Sequence, residues 1–212
     1  MRIAIVDDDP LVRLGLRAVI ASEEGWEVVA EAGDGADAVE LAAGASRPDV
    51  ILMDIRMPGT DGLEATRRIV SGSDASRVLV LTTFEVDEYV FAALRAGAAG
   101  FVLKRMPPKD LIEAIRTVAS GESLVFPAST RHVIERFAVR SGGSLPELSR
   151  REQEILRMLA RGRSNAEIAR ELTVSVEIVK SHVAAVLMKL NVRDRTQAVI
   201  VAYETGFVVP GS

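Results

Sequence analysis

The sequence predicts two folds in one chain: an α/β domain on a doubly wound, five-stranded parallel sheet, then a smaller all-α domain with a helix-turn-helix. Three observations carry this. Over residues 1–120, short apolar runs alternate five times with segments of helical periodicity. Such alternation implies parallel strands with helices on both faces. After residue 147 the strand-like runs give way to repeated helix-start signatures. The length, 212 residues, suits two small domains.

Taken in order, Arg2–Val6 is a short apolar strand, followed at once by Asp7, Asp8 and Asp9. Pro10 opens a helix whose Leu11, Leu14, Ala18 and Val19 recur at helical spacing. Trp26–Ala32 is the second strand, and Asp34 is an N-cap for a helix through Ala42. Val50–Asp54 is an apolar run closed by one carboxylate and a Pro58–Gly59 turn, as for a buried parallel strand. Gly62–Val70 is helical, Val78–Leu81 is a strand running into Thr82, and Asp87–Ala96 is helical up to Gly97. Phe101–Leu103 is the fifth strand, ending at Lys104, and Pro107 and Pro108 open a helix with Leu111, Ile112, Ile115 and Val118 on one side.

Composition bounds the chemistry. Without cysteine, disulfides and thiolate metal sites are excluded, and His132 and His182 alone exclude a histidine-rich one. No apolar run approaches bilayer length, and the three early aspartates break any signal-peptide pattern, so the expectation is a cytoplasmic protein without a membrane partner. Residues 1–120 carry a net charge of −7 and residues 147–212 one of +2, which permits a nucleic-acid partner for the second part without demanding one.

Right-handed crossovers bring all strand ends of a parallel sheet to one edge, where such folds bind ligands. Asp7 and Asp8, Asp54, Thr82 and Lys104 close four different strands. Any one of them reads equally well as turn or cap chemistry; four together outweigh that reading. Gathered carboxylates repel, and a hard cation with oxygen ligands, Mg²⁺, relieves the repulsion and shares phosphate oxygens. Lys104 can pair with a phosphoryl group, Thr82 can hydrogen-bond to it, and Asp54 is the natural nucleophile.

The set Val6-Asp7-Asp8, Asp54 through Gly62, Leu81-Thr82-Thr83 and Gly100 through Lys104 resembles the receiver domain of two-component response regulators. The resemblance implies the flavodoxin-like strand order 2-1-3-4-5. It implies Asp54 as phosphoacceptor, Asp8 and Asp54 as Mg²⁺ ligands with the Arg56 backbone carbonyl, and Asp7 bound through water. Thr82 would be the switch hydroxyl, Lys104 the phosphoryl-pairing amine and Phe101 the switch aromatic. Arg105 departs from the proline that many receivers carry after the lysine.

Residues 121–146 read as a linker, with a helix at 128–138 and a Ser141–Ser144 joint; a plain tether and a docking helix are the two readings. In 147–212, Ser149–Glu152 and Ser164–Glu167 are capping boxes and Asp194–Gln197 is a third candidate. A short helix, the turn Leu172–Ser175 and a longer helix Val176–Leu190 read as helix-turn-helix, against a plain helical bundle. On the longer helix Val179, Val183, Val186, Leu187 and Leu190 should face inward, and Glu177, Ser181, Ala184 and Met188 outward. Glu177, Ser181 and Ala184 suit base edges, whereas Lys180, His182, Lys189, Arg163 and Arg193 suit phosphates.

This segment resembles the LuxR-type DNA-binding domain, through Asn165-Ala166-Glu167-Ile168-Ala169 and Val179-Lys180-Ser181-His182-Val183, which adds Asn165 to the DNA-facing set. Together the halves resemble a NarL/FixJ-class response regulator. That implies a phosphorylation-switched transcription factor fed by a sensor histidine kinase, binding double-stranded DNA as a homodimer on activation, and not an enzyme. Ile178 and Ala184 depart from residues common in the family. Two alternatives remain at this level. A haloacid-dehalogenase-like phosphatase would use Asp7 of the Asp7-Asp8-Asp9 run as nucleophile, and a phosphorylation-independent regulator would dimerise without the switch.

Overall fold

The computed structural model describes residues 1–72, 76–83, 87–120 and 144–209. The chain divides into two compact units, Met1–Leu124 and Val125–Ser212. The linker helix expected at 128–138, and most of the Ser141–Ser144 joint, lie outside the described residues.

The first unit alternates β1 (Arg2–Val6), α1 (Pro10–Ala21), β2 (Glu27–Ala32), α2 (Gly35–Ala43), β3 (Val50–Asp54), α3 (Gly62–Val70), β4 (Arg77–Thr82), α4 (Asp87–Arg95), β5 (Gly100–Leu103) and α5 (Pro108–Ala119). The strands form one parallel sheet in the order β2-β1-β3-β4-β5. Strand side chains alternate between faces, and two cores result. Ile3, Ile5, Leu52, Leu79 and Leu81 pack with Ile20 of α1 and Leu111, Ile115 and Val118 of α5. Ala4, Val6, Ile51, Met53, Val78 and Val80 pack with Ala38 of α2, Ala65 and Ile69 of α3 and Ala93 of α4. Each fully buried Leu or Ile contributes about 1.5–3 kcal/mol, so the central strands, buried on both sides, anchor their C-terminal ends firmly.

Register fixes which ends meet. Val6 lies level with Met53, so Asp7 and Asp54 follow side by side. Asp54 lies level with Leu81, and Thr82 with Leu103. The Lys104 N–H donates to the Thr82 carbonyl at 2.8 Å, and the Asp7 N–H to the Ala32 carbonyl at 3.1 Å, extending the ladder to the residues that carry charge. Between β3 and α3 the chain turns through Pro58 and Gly59, whose φ of 76° is left-handed. It returns so close that a Cβ on Gly62 would lie 1.9 Å from the Asp54 carbonyl oxygen.

The second unit contains α6 (Arg150–Ala160), α7 (Asn165–Leu172), α8 (Val176–Leu190) and α9 (Arg195–Glu204). Both expected capping boxes form, at Ser149–Glu152 and Ser164–Glu167, and the Asp194 carboxylate accepts from Gln197 N–H at 3.0 Å. Thr173 closes α7 in the left-handed region (φ 55°), which makes the short turn into α8. Val179, Val186 and Leu190 of α8 are buried with Ile155, Leu156, Leu159 and Ile168 as the core of this unit. No helix among the described residues is long and apolar enough to cross a membrane.

Candidate functional site

Four strand ends bring Asp7, Asp54, Thr82 and Lys104 to one edge of the sheet, and all but Lys104 are nearly inaccessible: Asp7 is 0% exposed, Asp54 6% and Thr82 5%. The Lys104 Nζ sits between two carboxylates, 2.5 Å from Asp7 Oδ2 and 3.1 Å from Asp54 Oδ2. The first contact is an ion pair with poor hydrogen-bond angles, and Asp7 Oδ2 accepts no well-formed hydrogen bond. Asp7 Oδ1 accepts from Asp9 N–H at 3.1 Å. Asp9 in turn caps α1 by accepting from Leu11 N–H at 2.8 Å.

Burial pushes the Asp54 carboxyl up, Lys104 pulls it down and the neighbouring Asp7 charge adds to the rise; the outcome is a raised pKa. For Lys104, burial pushes the ammonium down, but the close contact with Asp7 and the two carboxylate charges more than offset it, and its pKa is raised. The amine is therefore a fixed positive charge at neutral pH.

Asp7, Asp8 and Asp54 each present a carboxylate oxygen within 4.8 Å of the others. Three oxygens at that spacing, one of them buried without a good hydrogen-bond donor, fit a small divalent cation. Beside them lies a cavity of about 190 Å³ lined by Asp54, Ile55, Arg56, Thr82, Thr83, Tyr89 and Lys104. Asp8 borders the neighbouring hollow with Arg56, Met57, Pro58 and Asp61. The Arg56 guanidinium lies 5.0 Å from the centre of the Tyr89 ring, a cation–π contact at the cavity mouth. Phe101 is half-buried on β5 against the core beneath α2, α3 and α4. Among the described residues no peptide is cis, and the chain after Lys104 turns with Met106 N–H donating to the Leu103 carbonyl at 3.0 Å.

The second unit presents a different surface. Glu177, Lys180, Ser181, Ala184 and Met188 are exposed on α8, and His182 is half-buried at their border. The Ser181 hydroxyl donates to the Glu177 carbonyl at 3.0 Å, and Lys180 lies 3.8 Å from Glu177. Arg163 stands beside Glu167 and Glu171, each at 3.8 Å. Asn165 is half-buried, with its Oδ1 fully covered and without a hydrogen-bond partner. Lys189 is turned toward α6, where its Nζ lies 2.7 Å from Glu152 Oε2. That contact and the capping bonds from Ser149 lower the Glu152 pKa to about 2.

Sequence reasoning missed two anchoring residues. Arg13 of α1 donates to the Asp7 backbone carbonyl at 2.6 Å, and Arg195 donates to the Arg163 carbonyl. The only sequence signal is a cation near a helix start, four residues into α1 for Arg13 and directly after the Asp194 cap for Arg195.

Residues 3–116 match the response regulator receiver domain, and residues 146–202 match the LuxR family of bacterial regulatory proteins. The chain belongs to the LuxR-type response regulators. It is 43% identical to the transcriptional regulatory protein YxjL of Bacillus subtilis, over 98% of this chain and 97% of that one. Among solved structures, the response regulator ChrA of a heme-sensing two-component system is 35% identical over 98% of each chain, with a TM-score of 0.53. A structure of two RcsB dimers bound to two parallel DNAs is 27% identical over 97% of this chain and 98% of that one, with a TM-score of 0.55. This response regulator is a phosphorylation-switched, DNA-binding transcriptional regulator of a two-component system. Receivers of this family bind Mg²⁺ at their acidic pocket, and the acidic cluster is present here.

Proposed function

We propose that Asp54 accepts the phosphoryl group and that the two halves of the chain act as follows. Residues 1–120 form the receiver, 121–146 the connection, and 147–212 the DNA-binding part. The observation that carries the Asp54 assignment is the cavity of about 190 Å³, because Asp54, Thr82 and Lys104 line it together while Asp7 does not. A carboxylate oxygen of Asp54 attacks the phosphorus of a phosphohistidine on a sensor kinase. A P–O bond forms, the P–N bond breaks, and the imidazole leaves with its electron pair. Asp8, Asp54 and the Arg56 backbone carbonyl would hold Mg²⁺, with Asp7 reached through water. Bound there, the ion supplies neutralising charge for the phosphoryl oxygens.

The residues of this chain do the rest. Lys104, held charged between Asp7 and Asp54, exchanges its Asp54 contact for a phosphoryl oxygen. The Thr82 hydroxyl turns toward another oxygen, and Phe101 follows into the space vacated, which biases a two-state receiver. The active form is a homodimer whose paired α8 helices enter two half-sites on double-stranded DNA. Glu177, Ser181 and Ala184 face base edges, and Lys180, His182 and Arg163 hold phosphates beside Asn165. Lys189 joins the phosphate contacts only if it leaves Glu152.

Phosphodonor labelling of the intact chain with acetyl phosphate and Mg²⁺, read by peptide mass spectrometry, tests this. One phosphate on Asp54 is expected. Label on Asp7 instead would make the chain a phosphatase of the haloacid-dehalogenase type. Equal DNA affinity of Asp54→Ala and the labelled wild type would make the regulator independent of phosphate.

A further inference from the structure

The turn that carries Asp7 and Asp8 is held from outside by one guanidinium. Arg13 Nη1 donates to the Asp7 carbonyl at 2.6 Å. Its Nε donates to Glu31 Oε2 on β2 at 3.3 Å, and Arg17 grips the other oxygen of the same carboxylate. Arg13 is 22% exposed and Glu31 23%, so the pair is mostly sheltered. The Asp7 carbonyl belongs to the planar peptide that joins Asp7 to Asp8. Anchoring its oxygen restrains the tilt of that plane, and with it the directions in which both neighbouring side chains leave the backbone. The Asp7 side chain is also tied, through Oδ1, to Asp9 N–H. What remains is Oδ2, turned toward Lys104 and the carboxylate cluster.

We infer that Arg13 is a positioning residue for the cation site: by holding the Asp7–Asp8 peptide against Glu31, it aims both carboxylates at a single divalent ion. The inference rests on the reading of Asp7, Asp8 and Asp54 as an ion pocket. Arg13 itself touches neither ion nor phosphoryl group. Outer hydrogen bonds that orient ligands typically account for about 10–100-fold in metal affinity. Simple Coulomb reasoning gives the opposite sign, since deleting a positive charge beside a cation site should tighten binding. The direction of the change therefore separates positioning from charge.

The test is Mn²⁺ binding to the full chain by electron paramagnetic resonance, at about 0.5 M salt, where exposed charges are strongly screened. Thermal unfolding without the ion is recorded for each variant. Arg13→Met is expected to bind Mn²⁺ about tenfold more weakly, and Arg13→Lys, which keeps the charge and one donor, to fall between it and the wild type. At saturating ion, Asp54 should still be labelled within about twofold of the wild-type rate, the split expected when only ion capture is impaired. A general loss of packing would instead lower the unfolding temperature and leave ion affinity unchanged. A folded Arg13→Met that binds Mn²⁺ as tightly as wild type, or more tightly, overturns the inference. If Arg13→Met does not fold, Glu31→Met, which removes the acceptor that holds Arg13, carries the test through the same link: about tenfold weaker binding is expected, and unchanged affinity overturns it. A wild-type chain that binds no Mn²⁺ removes the ion pocket itself, a separate result.

Discussion

The acidic edge of the sheet and the outward face of α8, the two proposed working surfaces, are built in opposite ways. At the sheet edge the groups come from four strands; Asp7, Asp54 and Thr82 are almost wholly buried, and Lys104 grips the two carboxylates at 2.5 and 3.1 Å, with only Asp8 of the acidic cluster exposed. On α8 they come from one helix and stand in solvent, and the pair Lys180–Glu177 is loose at 3.8 Å. Charges fixed in a dry setting act strongly on a small group held among them. Exposed charges instead gather a polyanion whose counterions are released on binding. Substitutions at the edge should therefore be close to all-or-none, and those on α8 graded.

The largest expected effect is that of Asp54→Asn, which should abolish phosphodonor labelling in intact-protein mass spectra and the gain in DNA affinity that follows it. Lys104→Met should slow labelling by about 10²-fold with Asp54 still the labelled residue; a rate near wild type would break the contrast. On the other surface, Lys180→Ala should weaken binding to every duplex alike and reduce the salt slope by about one unit. A changed base preference in a binding selection would instead bring Lys180 into the base-reading set.

Glu152 sharpens the comparison, because it is a buried carboxylate gripped by a lysine, as at the sheet edge. Its pKa in the folded protein, about 2, lies below the ordinary carboxyl value of 4.5. Its contribution to stability is present above pH 4.5 and is lost as pH falls toward 2. Lys189→Met removes the main cause of that shift, so its stability deficit in denaturant titrations should be largest above pH 4.5 and close toward pH 2. The smallest effect belongs to the turn: Thr173→Gly should stabilise the second unit by about 1 kcal/mol in the same titrations, by relieving a left-handed β-branched residue.

The same contrast governs how much the sequence reveals. Asp54, Thr82 and Lys104 were legible because each closes an apolar run, and a parallel sheet brings run ends together whatever the loops do. The caps at Ser149 and Ser164 were legible because their partners lie three residues away, at Glu152 and Glu167. The engagement of Lys189 with Glu152 spans 37 positions and two helices. On a helical wheel Lys189 looks like any exposed cation, and only the packing of the two helices brings its tip to Glu152. Arg13 is hidden for the same reason, since its acceptor is a backbone carbonyl and any residue type supplies one. The strand limits shifted by one residue, as with Glu27 rather than Trp26 at the start of β2, because ladder bonds rather than hydrophobicity define the ends.

Gly62 contributes no functional group, yet its N–H donates to the Ile55 carbonyl at 3.0 Å and any Cβ there would run into the backbone of Asp54, the proposed phosphoacceptor. Even a methyl group there would have to displace the strand end that carries Asp54. In a saturation scan scored on phosphoryl uptake, position 62 should thus prove nearly as intolerant as position 54, and a genetic screen blind to structure would mistake a spacer for a reactant.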